Sequence, residues 1–539
     1  MSKDRNDSGP AEDNLSAQAQ PIAGQGPGIS RRMLISGGAA VAATLAAGAA
    51  RSQVTGIMPG GGTVPFRLPM GALTYLDRKQ YISNMELIVH LEDARISGGE
   101  PQMTMWAKGP RRLLQARGGW LDVTDAKKPV MVNTKEQTGG CIAYNEKLKK
   151  WIMMSTAGQP LSSANPEFPH GRWHDEYRKK AESYSGLRGV RTYDITRPEE
   201  PKLLCEFSTG KDGSGTHMNF YDGGKYAIVD AGWSKEFRME NPQRPNGNGF
   251  MLLDLSDPAK VAEVSRWHIP GQLYSEEAEY KKYWFAGDQS SWTSSHGAII
   301  PQRIEEGGKI AFCGFGHFGM QIMDMSDPKN PKQLCQYRPA HETMGGIPFH
   351  TIFPVHKSDN PKLQNLLIAT AETVEPDCRE PFKPVQVLNV KDLAKPHLVG
   401  LFPRAEPPKD APYTDFCLAR GRFGTHNTAS WVAPGTARPE LIVLACFNAG
   451  IQVWDISDPT QPREVAYFIP PHVGKIEEYE TWRRSESETA FVEWDRKIIW
   501  LSGPAGTYGL SCPALGAAST APRKIDNWTV SHANRGWDA

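Results

Sequence analysis

Four histidines sit in short contexts of one kind: His217 in GTHMNF, His296 in SSHGAI, His350 in PFHTIF and His426 in GTHNTA. Each stands near the start of an extended, strand-like stretch. Cys141 in GGCIAY holds the equivalent place upstream, and Glu488 or Thr489 holds it downstream. Imidazole is the commonest metal-binding side chain, and a set of neutral imidazoles without thiolate suits Fe(II), Cu or Zn, with Fe(II) or Cu preferred here. Four such donors on one iron would leave one or two positions open for dioxygen or substrate. On tetrahedral zinc they would close the site into a structural plug. The alternative is that these histidines bond backbone and do no chemistry.

For the four to meet, the chain must return each to one axis, and a repeated phrase supplies the means. Trp120-LDVTDAKKP, Thr192-YDITRPEEP, Leu252-LDLSDPAKV, Ile322-MDMSDPKNP, Val387-LNVKDLAKP and Val453-WDISDPTQP are each an alternating strand that ends in a turn. The Asp side chain caps the turn and the prolines fix φ, after which a further strand begins. Two strands precede each phrase, for example Thr216–Phe220 and Tyr226–Asp230. Four strands per unit make a blade. The six phrases plus a degenerate last unit at Thr489–Cys512 predict an all-β protein, a β-propeller of about seven four-stranded blades, with six as the alternative count. Residues Met85–His90 and Met103–Trp106 would complete the first blade or close the ring beside the last, removing an exposed sheet edge. The equivalent histidines then lie on innermost strands that line a central channel.

The phrase resembles the LVIVD repeat family over roughly residues 105–510, and that resemblance implies a β-propeller. In the one-histidine-per-blade layout, the chain also resembles the carotenoid- and stilbene-cleaving oxygenases, which hold Fe(II) on four axial histidines. Selenium-binding-type methanethiol oxidases are another propeller family with an axial metal, there copper. Neither of these two resemblances extends along the chain. In the oxygenases, glutamates hold the outer nitrogens of the histidines; by that resemblance Glu372, Glu488 and Glu493 are candidates for the same role.

Composition bounds the rest. With 61 Lys+Arg against 60 Asp+Glu the formal charge is +1, and the lack of a basic tract argues against nucleic acid as a partner. The chain has 52 Gly and 42 Pro among 539 residues, which fits many turns. Ser30-Arg31-Arg32-Met33-Leu34-Ile35 matches the twin-arginine export pattern, with an Ala/Gly-rich stretch after it that is shorter than the roughly 20 apolar residues of a membrane span. The expected organisation is a leader and signal peptide over 1–50, an N-terminal extension over 51–104, the propeller over 105–512 and a tail over 513–539. The Tat translocon is then a transient partner, the protein is periplasmic or secreted, and no stable membrane anchor is expected. The repeats do not set an oligomeric state. Of the eight cysteines none forms a CxxC pair; Cys378 and Cys417 fall in loops where an oxidising compartment would allow pairing, though spacing does not fix connectivity.

Long connections fall on the histidine face and are rich in aromatics such as Trp233, Tyr280 and Tyr413, which favours an apolar or aromatic small-molecule substrate. No GxSxG elbow or phosphate loop is present. The leading expectation is a metal-dependent oxidoreductase, an oxygenase among the candidates. The rivals are a non-catalytic binding or scaffold propeller with a structural metal, and a metal-dependent hydrolase or lyase acting through a bound water. Export is testable at once, because the receptor reads paired guanidinium groups. Replacing Arg31 and Arg32 together with Lys should leave full-length precursor in the cytoplasm, as followed by fractionation and immunoblotting; normal periplasmic accumulation would refute the export signal.

Overall fold

A computed structural model describes residues 76–92, 104–116, 119–133, 140–157, 183–237, 248–283, 294–338, 347–373, 376–378, 381–475 and 486–528. Arg31 and Arg32 lie outside them. Seven antiparallel sheets follow one another along the chain. Blades 1, 2, 3 and 5 are four-stranded and cover residues 105–133, 141–208, 215–267 and 352–401. Blade 4 has three regular strands over 310–337 and blade 6 three over 441–469. Each gains its inner edge from a short extended segment, through the bridges Ile299 to Phe312 and Thr428 to Leu444. The count is therefore seven, not six. Among the described residues no helix is long and apolar enough to cross a membrane.

The last blade explains the segment before residue 105. Thr489–Glu493, Ile498–Gly503 and Gly506–Ser511 supply three strands, and the fourth is Glu86–Leu91 from the other end of the chain. Tyr81–Ser83 adds a further strand outside blade 6, pairing with Arg463–Ile469. Two strands placed in an N-terminal extension are thus part of the propeller, and Met105–Lys108 opens blade 1. The tail packs as well: Ala126 N–H donates to Thr520 O (3.0 Å), Gly435 N–H to Asn527 O (2.7 Å), and Trp528 stands edge-on to Trp151.

Each repeated phrase builds its corner as its residue types require. The first acidic or amide residue accepts the N–H two positions on: Asp122 from Thr124, Asp194 from Thr196, Asp254 from Ser256, Asp324 from Ser326, Asn389 from Lys391 and Asp455 from Ser457, all at 2.7–3.0 Å. Corner carbonyls also accept side-chain bonds from the preceding blade. Trp120 Nε1 donates to Pro198 O (2.8 Å), Thr192 Oγ1 to Pro258 O (2.6 Å) and Ser265 Oγ to Pro328 O (2.7 Å). The same turn that ends a strand stitches neighbouring blades.

Burial opposes ionisation of Asp194, Asp254 and Asp455, but the hydrogen bond from the residue two positions on and a nearby Lys or Arg outweigh it, so all three carboxyls titrate below the ordinary range. At Asp324 the bonds from Ser326 dominate, and the direction is the same. A carboxyl depressed in the folded state contributes stability that is present above its unfolded pKa, about 3.9, and is lost as pH falls through the folded value. Asn389 shows that an amide holds the same turn without titrating. Changing Asp194, Asp254, Asp324 and Asp455 together to Asn should therefore flatten the loss of melting temperature below about pH 4; an unchanged acid profile would contradict this reading.

Candidate metal centre

The four histidines meet, one from each of blades 3 to 6. Ring centroids run in sequence around the channel, His217 to His296 at 4.9 Å, His296 to His350 at 5.1 Å and His350 to His426 at 4.7 Å. His296, His350 and His426 are buried, and each N–H bonds the second strand of its own blade: to Gly314 O (2.8 Å), Thr370 O (2.9 Å) and Ala445 O (2.9 Å). His217 lies at a bulge in Gly215–Tyr221, where the pairing slips between Thr216 and Asn219. A bulge re-aims side chains on a strand. The closeness of blades 4 and 5 explains Gly314, since a Cβ there would stand 2.5 Å from His350 O and 3.0 Å from His296 O.

Hydrogen bonds fix how two imidazoles are protonated. Thr351 Oγ1 donates its one proton to Asn427 Oδ1 (3.1 Å), so its 2.6 Å contact with His350 Nδ1 is one in which the ring N–H donates. His426 Nδ1 lies 2.9 Å from the Glu488 carbonyl, which can only accept. In the neutral rings this leaves the lone pair on Nε2, the arrangement in which an outer bond sets a metal-binding tautomer. His296 is positioned by its neighbours. The buried Asp230 carboxylate accepts from Ser295 Oγ and from Gly297 N–H (2.7 Å). His426 stacks on Phe447 at 4.9 Å, and the Arg422 guanidinium covers that ring from 3.8 Å.

One acidic residue joins the histidines. His296, His350 and Glu372 each present a donor atom within 4.8 Å of the others. Glu372 Oε2 is 3.4 Å from His350 Nε2. Two ligands on metal bonds of about 2.1 Å at 90–109° stand roughly 3.0–3.4 Å apart, so this spacing suits a shared ion. With the His350 proton on Nδ1, a lone pair and a carboxylate oxygen face each other, and only a cation or an added proton makes that favourable. The other oxygen, Glu372 Oε1, accepts from Arg422, which also donates through Nε to Thr373 O (2.6 Å). Glu372 is held by Arg422 and offers one oxygen to the tier.

The three glutamates thus part company. Glu372, expected to hold an outer nitrogen, stands among the candidate ligands. Glu488 does serve an outer nitrogen, but through its backbone carbonyl, a role that side-chain type cannot reveal. Glu493 is a correction: it ends its strand far from Thr489 and is fully buried with Arg112 Nη1 (2.5 Å), Arg496 Nη2 (2.6 Å) and Trp500 Nε1 (2.7 Å). Cys141 is no ligand candidate either. Its thiol donates to Asn219 O, and burial pushes its pKa up to about 12, which disfavours thiolate. Cys378 and Cys417 form a disulfide between loops of blades 5 and 6 (Cα–Cα 5.5 Å). His268, His356 and His397 lie elsewhere, the first on Glu276 (2.9 Å), the second stacked on Trp431 and the third exposed on an outer strand. Trp173 and Tyr177, two further aromatics of the sequence, fall outside the described residues.

The LVIVD repeat model matches residues 443–468, the second to fourth strands of blade 6. The chain carries an LVIVD repeat in a seven-bladed β-propeller. No curated protein matches it. Solved structures similar to it include the computationally designed Ika8 protein, at 11% identity and TM-score 0.37, covering 81% of this chain and 96% of that one. The β-propeller domain of Cps50 (Swd1) from Myceliophteria thermophila is similar at 9% identity and TM-score 0.42, over 78% of this chain and 99% of that one. Raptor from Chaetomium thermophilum is similar at 8% identity and TM-score 0.40, over 83% of this chain and 30% of that one.

The two buried glutamates predict opposite phenotypes. Glu493→Gln leaves Arg112 and Arg496 undercompensated and should cost about 3–5 kcal/mol of stability, with any bound metal retained. Glu372→Gln should lower metal occupancy with a smaller change in melting temperature. Metal analysis beside thermal unfolding of both variants checks this, and equal metal loss in both would refute the assignment.

Proposed function

We propose that the axial tier binds one transition-metal ion, Fe(II) or Cu ahead of Zn, and that the protein is an exported, metal-dependent oxidoreductase acting on a small apolar molecule. The observation that carries this reading is the approach of His296, His350 and Glu372 to one point, with His217 and His426 flanking it. Two imidazoles and a carboxylate are the donor set of non-haem Fe(II) oxygenases, so the carboxylate weights the choice toward iron. When bound, such an ion supplies a change of oxidation state and an open position for dioxygen or substrate.

The chain's own groups do the rest. Arg422 offsets the charge of Glu372 and orients its free oxygen. The bonds from His350 through Thr351 to Asn427, and from His426 to Glu488 O, hold both Nε2 lone pairs ready. Asp230 fixes the backbone on either side of His296. Phe447 excludes water from one face of His426. Little reorganisation then accompanies binding, the usual advantage of a site built on rigid strands.

The 3.4 Å His350 to Glu372 contact also favours a second reading, in which His350 is protonated and the tier is a buried ion-pair cluster in a binding propeller. Metal stoichiometry separates the two. Changing His217, His296, His350 or His426 singly to Ala should greatly reduce occupancy, while the same change at His268, His356 or His397 should not. Under the second reading the first four would lower stability by about 1–3 kcal/mol and leave metal content untouched. The metal found then sorts the chemistry: redox metal favours the oxidoreductase, zinc with a bound water a hydrolase or lyase, and closed zinc a structural plug.

A further inference from the structure

The channel widens into an open-ended cavity walled chiefly by the inner strands of blades 2 to 6. Its walls are apolar: Met218, Phe220, Ala298, Ile299, Phe353 and Trp431. Gly297 and Thr351 also line it, each next to a tier histidine, and the Thr351 hydroxyl is the group bonded to His350 Nδ1. No tier histidine and no Glu372 atom lines the space, which meets the tier only through the outer side of His350.

Several polar groups in this wall have hydrogen-bond partners. Thr104 Oγ1 donates to Gly140 O, Cys141 to Asn219 O, Thr351 to Asn427 and Ser430 Oγ to Val432 O; Tyr221 Oη accepts from Asn145. Asn219 differs from these. Its side chain is 9% exposed, and neither its amide nitrogen nor its amide oxygen has a hydrogen-bond partner among the described residues. A primary amide left unsatisfied in an apolar channel is costly and calls for an explanation. It offers a donor nitrogen and an acceptor oxygen to whatever fills the cavity.

We infer that the channel is a binding site for a compact, neutral, apolar molecule whose single polar head donates and accepts at once. An alcohol or a primary carboxamide meets that description. The head pairs with both atoms of the Asn219 amide and the apolar body lies among Phe220, Phe353 and Trp431. A carboxylate does not fit, because it accepts only and the wall holds no cation to offset its charge. The inference concerns binding and does not rest on the metal reading.

The test is calorimetric titration of the exported, purified protein with benzyl alcohol, benzamide, toluene and benzoate, with metal content measured on the same sample. Benzyl alcohol, benzamide or both should bind, toluene should bind about tenfold more weakly for want of the polar head, and benzoate should not bind measurably. Asn219→Leu should erase the difference between toluene and the polar probes, and Ala298→Phe should abolish binding by filling the cavity. Toluene binding as tightly as the polar probes to the unaltered protein, benzoate binding, or no probe binding would each overturn the inference, even if neither variant folds. Probe binding without metal would refute the metal reading alone; metal without probe binding would refute the channel site alone.

Discussion

Seven twisted sheets can share one axis only if the last is tied to the first, and here the tie is made in backbone and in charge. Glu86–Leu91 completes the blade built by Thr489–Ser511, so segments from early and late in the chain meet in one sheet and close the ring. Across the same seam Arg112 of blade 1 bonds Glu493 and Asp495 of blade 7, while Arg496 donates to the carbonyls of Val123 and Thr124. These charges are almost wholly buried, and breaking such a network costs more than an exposed pair could contribute. Every distance at the axis depends on that closure, because each histidine comes from a different blade.

Within the closed ring, polar contacts pass from blade to blade at the level of the tier. His350 bonds Thr351, Thr351 bonds Asn427 of the next blade, and Asn427 and His426 both reach the Glu488 carbonyl of the one after. Glu372 and Arg422 likewise come from different blades. Their loops are joined by the Cys378–Cys417 disulfide and by the reciprocal bonds of Asp377 and Gly421. The tier is thus a set of side chains whose orientations are determined across two blade interfaces. That is the rigidity a metal site needs and a merely packed channel does not.

Much of this was legible in the residues. The Asp-Pro phrases carried the blades because the turn demands those types, and the one-per-blade phase carried the four histidines. What escaped was set by tertiary contact. The inner edges of blades 4 and 6 are bridges around His296–Ile299 and His426–Ala429, too irregular for an alternating pattern to mark. The strand Glu86–Leu91 pairs more than four hundred residues away, so only the logic of ring closure hinted at it. Glu372 and Glu493 are alike as residue types near strand ends; their difference lies in Arg422 on one side and in Arg112 and Arg496 on the other, and Arg422 and Arg112 come from other blades. Asn219 follows an inner-strand histidine by two residues and looked like any polar strand residue. Only the surrounding wall shows that its amide is unanswered.

The central claim is that His296, His350 and Glu372 share an ion, and X-ray absorption at the metal edge of the protein purified from the exported fraction addresses it most directly. The account predicts a redox-active metal in near one-to-one ratio, with at least two imidazole nitrogens and one carboxylate oxygen at about 2.0–2.2 Å. A protein without stoichiometric metal, or a metal whose first shell lacks imidazole, would contradict it.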